Sequence, residues 1–129
     1  KIVMESLLKK KTEKTPLVDF NIETGKFELS GRSIPEDFIG FYRPIFSWLD
    51  EYVKTPHVFT DVKINLEYFN TSSSKCLVDV FRKFEAIYKE GHKVQISWFY
   101  EIDNEDLLEI GEEYSSSLSV PFKMVPFRD

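Results

Sequence analysis

The sequence predicts a two-layer α/β domain, a mixed β-sheet with helices mainly on one face. Three observations carry this. Period-two and period-3.6 apolar runs alternate along the chain. The strand-like runs have one apolar and one polar side, so one sheet face is covered and the other largely wet. Helical runs fall between strands, as right-handed crossovers between parallel neighbours require, which predicts parallel pairing in the middle of the sheet.

The elements follow in order. Leu17 to Ile22 and Lys26 to Ser30 read as strands around a turn at Thr24-Gly25. Ser33-Ile34-Pro35-Glu36 has the spacing of a capping box, with proline tolerated in the first helical turn. The following helix carries Phe38, Phe41, Tyr42, Ile45, Trp48, Leu49 and Tyr52 on one apolar face, with Pro44 expected to kink it. Asp61 to Phe69 alternates as a strand, with Val62, Ile64, Leu66 and Tyr68 on one side. After Asn70-Thr71-Ser72-Ser73-Ser74, a helix carries Leu77, Val80, Phe81, Phe84, Ile87 and Tyr88 and closes at Gly91. Lys93 to Tyr100 alternates again. Asp103 to Asp106 opens a short helix with Leu107, Leu108 and Ile110. A last strand is expected near Leu118 to Val125, placed at an edge by Pro121.

The 129 residues suit one domain. Lys9, Lys10, Lys11 and Lys14 mark residues 1–14 as a flexible N-terminal segment, leaving residues 15–129 as the folded domain. No apolar run is long enough for a membrane span, and no apolar stretch follows the lysines as a secretory signal would need. A single cysteine, Cys76, makes no internal disulfide, so the reading is cytoplasmic. The net charge is −5 and no basic stripe interleaves with aromatics, which argues against nucleic acid as a partner.

Catalytic chemistry is sparse. His57 and His92 read as surface histidines, Cys76 as a buried small hydrophobe, and no phosphate loop or nucleophile elbow occurs. The acidic cluster of Glu101, Asp103, Glu105 and Asp106 lacks a calcium loop's spacing and suits a helix N-terminus. No cofactor and no metal site are implied. The informative segment is Leu66 to Lys75, which offers four hydroxyls in a row between a strand and a helix. One hydroxyl would cap the helix. The others read either as ordinary loop residues or as a phosphorylation switch, in which a phosphate would face backbone N–H groups and the positive end of the helix dipole, with Lys75 within reach. If the central strands are parallel, Gly31-Arg32-Ser33, Asn70 to Ser74 and Ile102 to Glu105 gather at one sheet edge. Arg32 could then approach a phosphate on Thr71.

These residues carry a resemblance. Ser30-Gly31-Arg32-Ser33 with Pro35-Glu36, Phe41-Tyr42 with Pro44 and Trp48-Leu49, Leu66 through Lys75, Trp98 with Tyr100, and Pro121-Phe122 are similar to the SiaC family of bacterial regulatory phosphoproteins. The likeness runs from about Thr15 to Phe122. It implies a fold like the anti-anti-sigma-factor (STAS) domains and a protein that is not an enzyme. It implies phosphorylation of Thr71 by a dedicated Ser/Thr protein kinase, with Ser72 and Ser73 as lesser candidates, and removal by a PP2C-type phosphatase. It implies that the unphosphorylated form binds a diguanylate cyclase (GGDEF) effector, a role in cyclic-di-GMP signalling and biofilm control. On this reading Arg32, Glu67, Asn70, Ser72, Ser73 and Lys75 form the switch and partner surface. The alternative is an anti-anti-sigma-like antagonist in a partner-switching module controlling transcription.

Overall fold

In the computed structural model, which describes residues 4–129, six strands form one sheet in the order β1-β2-β3-β4-β5-β6. The elements are β1 (Leu7–Lys9), β2 (Leu17–Phe20), β3 (Lys26–Ser33), α1 (Phe38–Tyr52), β4 (Phe59–Phe69), α2 (Thr71–Lys89), β5 (Lys93–Glu101), α3 (Glu105–Ser117) and β6 (Phe122–Phe127). β1, β2 and β3 pair antiparallel. β3 through β6 pair parallel, with a helix in every crossover. The parallel strands are added in one direction across the sheet. Crossovers of a single hand must then lay all three helices on the same face.

The register shows that face directly. Val18 lies opposite Leu29, Leu29 opposite Ile64, and Ile64 opposite Trp98. Each of these is at most 1 % exposed. Leu77, Val80, Phe81 and Phe84 of α2 and Tyr42, Ile45, Leu49 and Tyr52 of α1 pack on them. Trp98 anchors the far half. Its Nε1 donates to the Leu107 carbonyl at 3.0 Å, and a Cβ on Gly111 would lie 2.5 Å from its ring, so α3 approaches β5 closely only through that glycine. No helix among the described residues is long and apolar enough to cross a membrane.

Several expectations are corrected. The lysine-rich start is not wholly a loose tail, because Leu7–Lys9 pairs with β2 as an edge strand. Trp48 Nε1 holds it by donating to the Glu5 carbonyl at 2.7 Å, and Lys9 lies over the Phe41 ring. Residues 1–3 lie outside the described residues. β3 does not stop at Ser30 but runs to Ser33. Ser33 therefore caps nothing. Asp37 caps α1 instead, its side chain accepting from the Gly40 N–H at 2.9 Å, while Glu36 pairs with Lys14. α1 is a single helix across Pro44. The last strand begins at Phe122 rather than Leu118 and, as expected, lies at the sheet edge.

Glu85 secures the return from α3 to β6. This α2 carboxylate is 5 % exposed. It accepts from the Ser119 backbone N–H at 2.7 Å, the Ser119 hydroxyl at 3.1 Å and Arg82 Nη1 at 2.9 Å. The backbone bond from Ser119 is the largest cause holding its carboxyl down at about 2, with the Arg82 and Ser119 side chains adding to it. A lowered carboxyl stabilises the fold above its ordinary range near 4.5 and loses that contribution as pH falls towards 2. Glu85→Gln should cost about 2 kcal/mol at pH 7, the size of a set of charge-assisted hydrogen bonds. It should also flatten the acid limb of stability between these two pH values, as read by chemical denaturation. An unchanged acid limb would show that Glu85 does not carry it.

Candidate functional site

The chemistry-bearing residues meet where β3 and β4 end. Here the register shifts. Gly31 lies opposite Leu66, but Arg32 lies opposite Tyr68, so Glu67 is an extra residue in β4. A bulge of this kind re-aims the side chains that follow it. Gly31 permits it with a φ of +112°, a conformation open chiefly to glycine. The consequence reverses one expectation. Tyr68 does not continue the buried row of Val62, Ile64 and Leu66, and is 53 % exposed. Phe69 takes the inward place and meets the Trp98 ring edge-on at 6.0 Å.

The bulge delivers Asn70 to the head of α2. Its backbone is extended (φ −88°, ψ 176°) and its side chain accepts from the Ser73 N–H at 2.9 Å. The cap is thus an amide, not one of the four hydroxyls. Asn70 N–H donates to the Ser33 carbonyl at 3.2 Å, and Ser74 N–H donates to the Asn70 carbonyl. The first turn of α2 contains no acidic residue.

The four hydroxyls then separate by environment. Ser73 is fully buried. Its hydroxyl donates to the Ser33 carbonyl at 2.8 Å and accepts from the Ser33 hydroxyl at 2.8 Å. Each hydroxyl has one proton to give, so Tyr42 must donate the remaining bond, 2.6 Å, to Ser33 Oγ. Burial pushes the Tyr42 phenol up to about 12, which keeps that proton in place. Ser74 Oγ bonds the Tyr114 hydroxyl at 2.8 Å. Ser72 is half-buried, and Thr71 is exposed at the first position of the helix with no side-chain hydrogen bond among the described residues. Thr71 is open to solvent in this conformation, whereas Ser73 is sealed from it.

Arg32 shares the edge but is not brought onto Thr71. Its Nε lies 3.9 Å from Glu67 Oε1 and its guanidinium rests over the Tyr68 ring. Lys75, one turn beyond Thr71, is exposed and makes no ion pair among the described residues. Four exposed apolar side chains surround this edge: Phe38 and Ile39 at the start of α1, Tyr68, and Ile102 after β5. The sequence reading missed Phe38 and Ile39 as surface residues, since their spacing matched a helix's buried stripe or its flank. The acidic cluster serves structure: Asn104 caps α3 by accepting from the Leu107 N–H, and Glu101 accepts from the Asp103 N–H. No group of three or more His, Cys, Asp or Glu side chains able to hold a metal occurs among the described residues. Cys76 is 7 % exposed and burial raises its thiol, as expected of a small hydrophobe.

An exposed hydroxyl at a helix head, sharing one edge of a one-sided α/β scaffold with exposed apolar side chains, fits the class of small regulatory domains that work through a binding surface. The chain belongs to the SiaC family of regulatory phosphoproteins, whose family model matches residues 9–127. This places it among regulatory proteins, not enzymes. It is 27 % identical over 111 residues to an uncharacterised protein of Pseudomonas aeruginosa, covering 86 % of this chain and 88 % of that one. Its structure is similar to apo-SiaC of Pseudomonas aeruginosa, with a TM-score of 0.86 and 25 % identity over 95 % of this chain and 99 % of that one. It is also similar, at a TM-score of 0.88 and 26 % identity over 94 % and 99 % of the two chains, to a chain in the crystal structure of the diguanylate cyclase SiaD in complex with its activator SiaC from Pseudomonas aeruginosa.

The separated hydroxyls make a stability prediction. Asn70→Ala should cost about 1 kcal/mol through loss of the cap. Ser73→Ala should cost about 1–3 kcal/mol by stranding the Ser33 hydroxyl. Thr71→Ala should lie within about 0.5 kcal/mol of the parent. Denaturant titration reads all three, and a Thr71→Ala loss as large as that of Ser73→Ala would contradict this assignment.

Proposed function

We propose that this chain is a phosphorylation-switched activator of a diguanylate cyclase, with Thr71 as the acceptor and the unphosphorylated form as the binder. The observation that carries the reading is the exposure of Thr71 in a serine-rich turn whose other hydroxyls are partly or wholly withdrawn. The likeness to a structure containing an activator of the cyclase SiaD supports the effector class. The remaining parts of the circuit are a Ser/Thr kinase, a PP2C-type phosphatase and a cytoplasmic setting.

The physics favours local blocking over refolding. A phosphate adds about −1.5 to −2 charges at neutral pH. Ser73 and Ser74 N–H groups are already bonded to Asn70, so the phosphate would meet the two N–H groups before them and the helix dipole. That returns only about 0.3–1 kcal/mol at an exposed site, against a typical domain stability of about 5–15 kcal/mol. The leverage lies at the interface. Seating a phosphate among Phe38, Ile39, Tyr68 and Ile102 against a partner costs several kcal/mol by desolvation, and each ~1.4 kcal/mol is tenfold in affinity.

Incubation with the cognate kinase should add one phosphoryl group to the intact chain and none to Thr71→Ala. Thr71→Ala should bind the cyclase whether or not the kinase is present, and phosphorylation of the parent should weaken binding tenfold or more. A phosphoryl group that persists in Thr71→Ala would move the acceptor to Ser72 or Ser74. Capture of a sigma-regulating kinase in place of a cyclase would replace this reading with the anti-anti-sigma-like one.

A further inference from the structure

The helix layer is open beside Thr71. A groove of about 390 Å³ separates the upper halves of α1 and α2, with Phe38, Ile39, Phe46 and Cys76 as its apolar lining and Ser72 at its mouth. A second depression of about 420 Å³ continues it, sharing Phe46 and Asp79 and reaching Ala86. From Ser72 to Ala86 along α2 is roughly 21 Å at about 1.5 Å per residue. That is the length of a helix of about four turns.

Its charges are uneven. The lower end is neutralised within the chain: Lys83 pairs with Asp50 at 2.6 Å and Arg82 with Glu85 at 2.9 Å. At the upper end Arg43 from α1 and Lys75 from α2 line the groove together with one carboxylate, Asp79, and none of the three makes an ion pair among the described residues. Two cations against one carboxylate leave this end of the groove net positive in a chain whose own net charge is −5. Desolvating them would be costly without a partner carboxylate.

We infer that the α1/α2 groove is the docking site for an amphipathic helix of the cyclase. That helix lays apolar residues at i, i+3, i+4 and i+7 along Phe46 and Ile39, and presents a carboxylate at the end nearest Thr71 to Arg43 and Lys75. This rests on the proposed function and deepens it. Thr71 and Lys75 are four residues apart on α2 and so lie on one helix face. A phosphate on Thr71, about −1.5 to −2 charges, draws Lys75 to itself and cancels the net positive charge at the lip of the groove. The acidic end of the incoming helix then loses one cation and meets an added anion.

The test uses the full chain and the full-length cyclase. Arg43→Glu, Lys75→Glu and Ile39→Glu are all surface changes, and thermal unfolding checks that each folds. Tyr88→Glu, near the far end of α2, serves as control. The parent should bind the cyclase; the three groove variants should each lose tenfold or more; Tyr88→Glu should bind as the parent does. Reversing the docking helix's carboxylate to lysine should recover the affinity of Lys75→Glu. Parental binding by all three groove variants would overturn the groove assignment and leave the switch reading standing. Absence of binding by both the parent and Thr71→Ala would overturn the switch reading, and this inference with it.

Discussion

The structure turns on a short chain of hydroxyls. Tyr42 donates to Ser33, Ser33 to Ser73, and Ser73 back to the Ser33 carbonyl, all out of contact with water. In a low-dielectric interior each of these groups would be expensive to leave unpaired, so the three lock together or not at all. They join the end of β3, the first turn of α2 and the second turn of α1. Everything that depends on where α2 begins, including the exposure of Thr71, depends on this lock.

The bulge at Glu67 is its counterpart on the backbone. Without the extra residue, Phe69 would face the open side of the sheet and Tyr68 the core, since a one-residue slip exchanges faces. With it, Phe69 completes the aromatic packing around Trp98 while Tyr68 and Arg32 remain outside. The chain then enters α2 with Asn70 placed to cap it. The same few residues thus set both the core's upper boundary and the surface's composition.

The electrostatic design follows from the one-sided cover. All three crossovers run in the same sense, so α1 and α2 lie side by side with their N-termini at the carboxyl ends of the parallel strands, the edge where α/β domains place their sites. α3 carries Glu105 and Asp106 in its first turn, whereas α2 carries no acid there. The dipole of α3 is met from within the chain. That of α2 meets no acidic side chain in its first turn, so its N-terminal charge is left to solvent.

Periodicity made most of the architecture legible. The apolar alternation of Val62, Ile64 and Leu66 and the stripe from Leu77 to Ile87 depend only on local backbone geometry, which repeats every two or 3.6 residues. The resemblance singled out Thr71 by its neighbours in sequence. Three things were decided only in three dimensions. Ser33 read as a helix cap but serves as a buried partner, because its hydroxyl bonds a residue forty positions away. Ser73 read as a neighbour of Thr71 but is sealed, because residues two apart at a helix head point in directions about 200° apart. Arg43 and Lys75 are far apart in sequence and share a groove only because α1 and α2 pack side by side. The sequence by itself determined most of the helices and strands and the face most of them bury, because those preferences are local; it missed the edge strand β1 and the change of face at Tyr68, which depend on pairing with a neighbouring strand. The tertiary fold decided which polar groups are satisfied inside and which stay free at the surface, because a hydrogen bond needs both partners and the chain supplies the second from elsewhere.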